Sequence, residues 1–351
     1  MSDTQSNIVI DNGSSTIKCG FSGENAPKSI ISNTITKDGI VGDDTLPDII
    51  YPVEHGIIKN FEEMEKIWKH TFNNELKVNS DERNVLISDS PLAPKINREK
   101  ITQILFEKFN VQGLFICSQQ MLSLYSVGST TAIIVDSGDD STHIVPIIEG
   151  YSHSFTITKM NYGGRAITDF LIRKLSLNGL NFTKKIGQEV KEKFCRVSLD
   201  FENEERNENI CKDYILPDDT KFTAGKELFE CPETIFKPEL MDLEFPGIHY
   251  QIYNSIMKCD NEVRKDLYSN IILSGGNTLF SKFPERLNEE MKKLSPNSLI
   301  GKVNINAQSE RKYSSWIGGS TLAGLGNFQT MWITHGEYQE NGPQVIHRKC
   351  L

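Results

Sequence analysis

The feature of this sequence that most constrains its fold is one pattern that occurs twice, in separate halves of the chain. In "NIVIDNGSSTIKCGF" (residues 7–21) and "AIIVDSGDDSTHIVPI" (residues 132–147), an apolar run ends in Asp-x-Gly, polar residues follow, and a second apolar run begins. Each copy predicts a β-hairpin with an aspartate at the carboxyl edge of a sheet. The repetition indicates a duplicated fold whose two halves bind one ligand.

The rest of the chain has the pattern of an α/β protein, because short apolar runs bounded by Gly or Asp alternate with longer helical patterns. The acidic stretch "DFENEERNEN" (200–209) is expected to be a solvated loop. Strands are expected at "LFIC" (114–117) and "NIILSGG" (270–276), and helices over 101–109, 120–125, 165–175 and 283–294.

Length and charge exclude several classes of protein. A chain of 351 residues is near the size at which single cores stop growing, which favours two packed lobes. The net charge of −9 argues against a general binder of nucleic acid or anionic membranes, and no apolar run has membrane-spanning length. The seven cysteines form no CxxC pair, which predicts reduced thiols in a cytoplasmic protein.

The first turn carries donors suited to phosphate oxygens. Ser14 and Ser15 supply hydroxyl groups, Lys18 supplies a cation, and Gly13 lets a backbone amide approach a ligand closely. One Asp-Gly turn alone would be read as an ordinary hairpin. Two matching turns, together with the "SGGN" turn at residues 274–277, favour a nucleotide site.

The aspartates predict a divalent cation. Asp11 and Asp136 are hard oxygen ligands, suited to Mg²⁺ or Ca²⁺ held largely through water. The second turn adds Asp139 and Asp140, and like charges this close repel each other. We therefore expect the three aspartates of this turn to face a cation, which a nucleoside triphosphate would bring.

Long strings of the sequence resemble the actin family in order and over nearly the whole chain. They are "DNGSSTIKCGF", "YPVEHGIIKNFEEMEKIWKHTFNNEL", "NREKITQILFEKFNV", "IYNSIMKCD", "VRKDLY", "ERKYSSWIGG", "FQTMWIT" and "GPQVIHRKC". The resemblance implies an actin-like ATPase fold, a duplicated two-lobed α/β fold with nucleotide in the interlobe cleft. It implies a first lobe of residues 1–126 with 314–351 and a second lobe of 127–313, with small outer parts at about 33–52 and 163–247.

The resemblance also implies the roles of individual residues. Gln119 and His143 would orient the attacking water of an ATPase, and Asp11 and Asp136 would hold the waters of the cation. Without the resemblance, Gln119 would be interpreted as a solvent-exposed residue with no specific role. His143 would be interpreted as a semi-buried histidine whose hydrogen bonds are satisfied. The implied contacts to ATP or ADP are Gly13, Ser14, Ser15, Lys18, Gly138, Asp139, Gly164, Lys191, Glu192, Gly275, Gly276, Asn277, Phe280 and Lys312.

The sequence departs from the actin pattern in places that bear on function. Between residues 37 and 51 most of a mobile loop that joins filament subunits is missing, and the second outer part is shortened twice. Ser15 and Asp140 stand where actin has glycine, which would cost about 1 kcal/mol at a positive φ. We expect weaker nucleotide binding, or Asp140 turned towards solvent. Asp242 is expected to weaken contacts between filament strands.

Two main functions remain open at this point. One is an actin-like cytoskeletal protein that binds ATP and a divalent cation, hydrolyses ATP slowly and assembles poorly with itself or with conventional actin. The alternative is a non-enzymatic scaffold or filament-capping subunit that binds nucleotide only structurally. A metabolite kinase fits less well. Actin-binding proteins would use the groove near Tyr125, Gly128, Tyr151, Leu322, Leu325 and Met331.

Overall fold

The computed structural model describes residues 6–350 except 45, 47, 178, 208–209 and 216–220. The described chain forms two compact units. Unit 1 contains residues 1–134, 147–154 and 309–351, and unit 2 contains 135–146 and 155–308. The finer division of each half into an inner and an outer part stays a prediction.

The strands are short and occur throughout the chain. In chain order they are β1 (Ile8–Asn12), β2 (Thr16–Phe21), β3 (Ser29–Ser32), β4 (Ile35–Thr36), β5 (Ile49–Ile50), β6 (Val53–Glu54), β7 (Ile57–Ile58), β8 (Asn84–Asp89), β9 (Gly113–Ser118), β10 (Ala132–Ser137), β11 (Thr142–Ile147), β12 (Thr158–Met160), β13 (Lys212–Ile215), β14 (Lys221–Ala224), β15 (Ile271–Ser274), β16 (Ile305–Asn306) and β17 (Ile333–Thr334).

The α-helices alternate with these strands, as the sequence pattern predicts. They are α1 (Phe61–His70), α2 (Lys95–Glu107), α3 (Gln119–Ser126), α4 (Gly164–Leu177), α5 (Lys184–Phe194), α6 (Phe201–Glu205), α7 (Glu227–Glu233), α8 (Ile248–Met257), α9 (Asn261–Ser269), α10 (Phe283–Leu294), α11 (Ser314–Gly324), α12 (His335–Asn341) and α13 (Ile346–Lys349). The helices predicted over 120–125, 165–175 and 283–294 are confirmed, with small shifts at their ends. The helix predicted over 101–109 is also confirmed, but it begins earlier, at Lys95, and ends at Glu107.

The two largest sheets share one order over five strands, with β17 added at one edge of the first, which confirms the duplication. The first sheet has the order β17-β9-β8-β1-β2-β3, and the second has the order β12-β11-β10-β15-β16. In each sheet a hairpin and a third strand lie on one side, and strands from later in the sequence extend the other side. The fold is therefore a duplicated α/β architecture.

In unit 1 the core lies on both faces of the first sheet. All five residues of β1 are buried, and β1 is an inner strand that pairs with β2 on one side and with β8 on the other. The indole rings of Trp68 and Trp316 are both fully buried, and Trp316 Nε1 donates to the carbonyl oxygen of Val9 at 3.1 Å. This packing fixes the end of β1, where Asp11 lies.

One predicted loop is partly helical. Within the acidic stretch 200–209, residues Phe201–Glu205 form α6, so the expectation of a solvated loop was wrong there. The side chain of Asp200 accepts a hydrogen bond from the backbone of Asn203, and Phe201 is buried. Arg196 pairs with Glu204 from outside the stretch. This cap and these tertiary contacts form the helix despite its high charge.

Candidate functional site

The first candidate site surrounds the carboxylate of Asp11 at the carboxyl end of β1. Asp11 and Lys18 are opposite each other in the β1–β2 ladder, and Lys18 Nζ lies 3.2 Å from Asp11 Oδ2. Asp11 Oδ1 accepts hydrogen bonds from Ser88 at 2.8 Å, Gln119 at 2.9 Å and Ser315 at 3.1 Å. One buried carboxylate is therefore held by a cation and three polar side chains.

The surroundings of Asp11 keep it charged. Burial alone would raise the pKa of this carboxyl group, but the charge of Lys18 and the hydrogen bonds from Gln119 and Ser88 outweigh burial. The pKa of Asp11 consequently lies below its ordinary value of 3.8. At neutral pH the site offers a fixed negative charge beside a fixed positive one.

Two helices bring Gln119 and Ser315 to Asp11 with their first turns. Gln119 opens α3 directly after β9, and Ser315 is the second residue of α11. A Cβ on Gly318 would lie 1.7 Å from the carbonyl oxygen of Leu122, so only glycine permits these helices to pack this closely. The close packing sets the position of both polar side chains.

Sequence reasoning missed Ser88 and Ser315. Ser88 stands near the carboxyl end of β8, which runs parallel to β1, so its position at the same sheet edge as Asp11 was a usable signal. Ser315 reaches Asp11 from 304 residues away in the sequence, and no local pattern marks it. The Ser88 hydroxyl also accepts from the backbone of Asn12 at 2.9 Å.

The predicted phosphate loop of unit 1 is held at its carbonyl oxygens. Asn33 donates from its side chain to the oxygen of Gly13 and from its backbone to the oxygen of Ser15, both at 2.7 Å. The hydroxyl of Ser14 accepts from the backbone of Gly56 at 3.1 Å. Ser15 does not have a positive φ, so the strain considered for that position is absent.

The second turn differs from the expectation in the partner of its aspartates. Asp139 Oδ2 accepts from Arg165 Nη2 at 3.0 Å and Nε at 3.2 Å, and Asp140 Oδ1 lies 3.8 Å from Arg165 Nη1. The expectation that all three aspartates face a cation was therefore wrong for Asp139 and Asp140, because a guanidinium from α4 faces them. Asp140 is also not turned towards solvent, since its side chain is only 11% exposed, and its φ is not positive.

Four of the predicted site residues of unit 2 meet at the start of α4. The carbonyl oxygen of Gly138 accepts from Gly164 N at 3.0 Å and from Asn277 Nδ2 at 2.7 Å. Lys191 Nζ donates to the oxygen of Gly164 at 2.8 Å. A Cβ on Gly164 would lie 2.7 Å from Asn277 Oδ1 and 2.9 Å from Lys191 Nζ, so this contact needs glycine.

Asp136 lies against the predicted glycine turn after β15. Gly275 has φ +85°, and a Cβ there would lie 2.7 Å from Asp136 Oδ1 and 2.3 Å from the oxygen of Ser137. A Cβ on the neighbouring Gly276 would contact nothing within 4 Å. Gly275 is therefore required by the backbone geometry, whereas Gly276 leaves open space beside the turn.

The remaining predicted residues are spread over both units. His143 on β11 is buried, and burial together with the charge of Lys159 lowers its pKa to about 3, so it is neutral at pH 7. Gln119 and Lys312 belong to unit 1, and His143 belongs to unit 2. Phe280 is buried at the end of a 3₁₀ turn, and Glu192 accepts from Gln188 on its own helix at 2.8 Å.

Unit 1 also carries the predicted groove residues, which differ in exposure. Leu322 is buried within α11. Four large side chains are exposed: Tyr125, Tyr151, Leu325 and Met331. Gly128 has φ +67°, and a Cβ there would contact nothing within 4 Å. The exposed apolar side chains are thus available to a partner, and Leu322 is not.

The duplicated sheets, each with a carboxylate at the end of its hairpin strand, define the class of protein as an actin-like ATPase fold. The family model described as Actin matches residues 2–185 and 180–351, and the chain therefore belongs to the actin family. The family match indicates a protein of the cytoskeletal type. Within the described residues we find no helix that combines the length and the apolar character needed to cross a membrane.

Proposed function

We propose that the chain is a cytoplasmic, actin-like protein that binds ATP or ADP with Mg²⁺ or Ca²⁺, hydrolyses ATP slowly and assembles poorly into filaments. The observation that carries the proposal is the environment of Asp11. A buried carboxylate that stays charged beside Lys18, and that three further side chains hold in place, is costly for folding alone. A complex of cation and phosphate presents the opposite charge to each member of this pair.

The donor sets of the two turns fit such a ligand. Lys18, the hydroxyl groups of Ser14 and Ser15, and the amide of Gly13 would contact phosphate oxygens, while Asp11 and Asp136 would hold waters of the cation. Asp136, Gly138 and Asp139 would form the second phosphate loop. The proposed contacts to the nucleoside are Gly164, Lys191, Glu192, Gly275, Gly276, Asn277, Phe280 and Lys312.

The proposed hydrolysis depends on positioning more than on covalent chemistry. A bound divalent cation supplies charge neutralisation at the phosphate oxygens. Gln119 is held at 2.9 Å from Asp11 through its Nε2, which leaves its Oε1 to orient a water molecule. His143 is neutral at pH 7 and, because burial lowers its pKa to about 3, it would orient the attacking water by a hydrogen bond without taking its proton.

The proposed weakness in assembly rests on the segment between β4 and β5. These two strands pair directly, Ile35 with Ile50 and Thr36 with Ile49, and residues 37–48 join them. Such a short connection lacks most of the mobile loop that joins subunits in the actin pattern. Asp242, exposed and at φ +56°, would further weaken contacts between strands of a filament.

The alternative, a non-enzymatic scaffold or filament-capping subunit, has one observation in its favour. Arg165 is already neutralised by carboxylates of the second turn. In both versions the exposed side chains of Tyr125, Tyr151, Leu325 and Met331 would bind an apolar helix of an actin-binding protein.

Pelleting under polymerising salt with Mg-ATP, with phosphate release followed in the same tubes, tests the proposal. We expect the protein to stay in the supernatant alone, to release phosphate slowly, and to shorten filaments of conventional actin when mixed with it. Efficient self-pelleting would contradict the proposed weakness in assembly. Absence of phosphate release with intact nucleotide binding would favour the scaffold.

A further inference from the structure

Asn33 holds the first predicted phosphate loop from outside the hairpin that carries it. It directly follows β3, belongs to unit 1 like the loop itself, and is fully buried at 0% exposure. Its Nδ2 donates to the carbonyl oxygen of Gly13 and its backbone N–H to the carbonyl oxygen of Ser15, both at 2.7 Å. One residue therefore fixes two carbonyl groups of the loop formed by residues 13–15.

The direction of a loop carbonyl group decides the direction of the next amide. A trans peptide unit is planar, so its C=O and the N–H of the following residue point in opposite directions. Because the oxygen of Gly13 points at Asn33, the N–H of Ser14 points away from Asn33. Ser14 is partly exposed, and within the part of the chain that the structure describes its N–H donates to no protein acceptor. The loop thus presents a backbone donor that a ligand can use.

The orientation of the Asn33 amide has a cost in stability. Its Oδ1 is buried and has no hydrogen-bond partner among the described residues. Turning the amide over would place Oδ1 against the carbonyl oxygen of Gly13, so only the observed orientation gives a hydrogen bond there. A buried amide oxygen without a partner destabilises the folded state, and an apolar side chain would avoid that cost. Asn33 is therefore better explained by its action on Gly13 than by stability.

Other contacts of the loop do not orient this peptide unit. The hydroxyl of Ser14 accepts from the backbone of Gly56 at 3.1 Å, which holds a side chain. A Cβ on Gly13 would lie 2.7 Å from the carbonyl oxygen of Thr16, which only excludes a larger residue at that position. Among the described residues, the side chain of Asn33 is thus the group that fixes the peptide unit between Gly13 and Ser14.

We infer that Asn33 is a positioning residue for phosphate binding, which holds the Gly13–Ser14 peptide unit so that the N–H of Ser14 donates to a phosphate oxygen of the nucleotide. This inference rests on the proposed function, because it presumes that phosphate binds at the first loop. It goes beyond that function by naming a residue outside the turn that sets phosphate affinity. Since Asn33 is fully buried, it acts through Gly13 and not by contact with the ligand.

The test measures the Kd for Mg-ATP, Mg-ADP and adenosine by calorimetry in the unchanged protein, Asn33→Leu and Asn33→Ala. Both substitutions remove the donor to Gly13 and keep the backbone N–H that binds Ser15, and leucine also keeps a branched side chain. We expect the Kd for Mg-ATP and Mg-ADP to rise about fivefold in both variants, the effect of one lost hydrogen bond, and the Kd for adenosine to stay the same.

Asn7→Ala is the matched control for these titrations. Asn7 directly precedes β1, at the end of that strand remote from the loop, and its Nδ2 donates to the carbonyl oxygen of Ala323 at 2.8 Å. The substitution therefore removes the same kind of hydrogen bond from the same unit. It should leave the Kd for all three ligands unchanged.

Amide NMR distinguishes positioning of the loop from a general loss of structure. In the unchanged protein the N–H resonance of Ser14 should shift on addition of Mg-ATP and not of adenosine, and in the Asn33 variants this shift should be smaller. Equal Kd values for Mg-ATP in the folded variants, an equal rise for adenosine, or a Ser14 resonance that does not respond to bound Mg-ATP would overturn the inference. Thermal unfolding shows which variants are folded, and if neither is, the Ser14 resonance of the unchanged protein decides.

The same titrations separate failure of the inference from failure of the proposed function. If the unchanged protein binds Mg-ATP and both folded Asn33 variants bind it equally, only the inference fails. If the unchanged, folded protein binds none of the three ligands, the proposed function fails and the inference with it.

Discussion

The two hairpins of this chain begin from one sequence pattern and neutralise their aspartates in different ways. In the first, the partner of Asp11 is Lys18, its direct neighbour across the β1–β2 ladder. In the second, Asp139 and Asp140 pair with Arg165, which belongs to α4, a helix that begins only after two further strands, β11 and β12. A local pair thus serves one turn and a tertiary pair serves the other.

The two ion pairs, Asp11 with Lys18 and Asp139 with Arg165, also differ in how deeply they are buried. The side chains of Lys18 and Asp11 are 12% and 3% exposed, whereas those of Arg165 and Asp139 are 25% and 24% exposed. A buried charge that loses its partner has no water to replace it, but a partly exposed charge does. The first turn should therefore depend on its ion pair for stability, and the second should be free to exchange its partner.

Replacing the basic residue that pairs with the aspartates of each turn should give the largest difference in the free energy of unfolding. Lys18→Met leaves Asp11 charged and buried, and we expect a loss of about 4 kcal/mol in the free energy of unfolding. Arg165→Met leaves its hydrogen-bonded partner Asp139 in reach of water, and we expect a loss of about 1 kcal/mol. Urea unfolding of the two variants measures both values. Equal losses would show that burial does not distinguish the turns.

The glycine turn beside Asp136 provides the next contrast. Gly275→Ala places a Cβ at φ +85° and 2.3 Å from the oxygen of Ser137, and we expect a loss of about 3 kcal/mol. Gly276→Ala is the matched control, because a Cβ there contacts nothing within 4 Å. Thermal unfolding compares them, and a similar stability of the two variants would refute the close approach of β15 to the second turn.

A histidine in the second hairpin predicts a smaller, pH-dependent difference. His143 has its pKa lowered from 6.5 to about 3, mainly by burial, so below pH 6.5 the unfolded chain gains a proton that the folded chain does not. The contribution of neutral His143 to the free energy of unfolding is therefore complete above pH 6.5 and is lost as the pH falls towards 3. Between pH 6.5 and 5 the loss should be about 2 kcal/mol.

His143→Gln should remove this part of the pH dependence. The measurement is urea unfolding of both proteins at several pH values between 7 and 5. The first hairpin has no histidine, so it makes no matching contribution. Parallel curves for the two proteins would mean that His143 is accessible to protons in the folded state.

The fold was largely predictable because its pattern is local. The apolar runs on either side of each turn predicted both hairpins. The helical spacing of the apolar residues in 165–175 predicted α4, and its apolar residues Ile167, Phe170, Leu171 and Leu175 are buried. The helix at Phe201–Glu205 was not predictable from charge alone. It depends on a cap from Asp200 and on the pairing of Glu204 with Arg196.

The candidate site was predictable only in part. The aspartates and glycines at the turns are marked by their own sequence, and Asp11 and Asp136 lie at the strand ends where the pattern placed them. Ser315 and Arg165 act on aspartates that are 304 and 26 residues away. Such partners are set by the packing of helices against sheets, which periodicity does not reveal.

Titration of the folded protein with Mg-ATP tests the central claim most directly, beside the variant Asp11→Asn. The account predicts one ATP per chain for the unchanged protein, and binding weakened about tenfold or more when the carboxylate of Asp11 is replaced by an amide or when the cation is chelated. Equal affinity of the two folded proteins, with and without the cation, would show that Asp11 has no part in binding. Absence of any binding to the unchanged, folded protein would contradict the account as a whole.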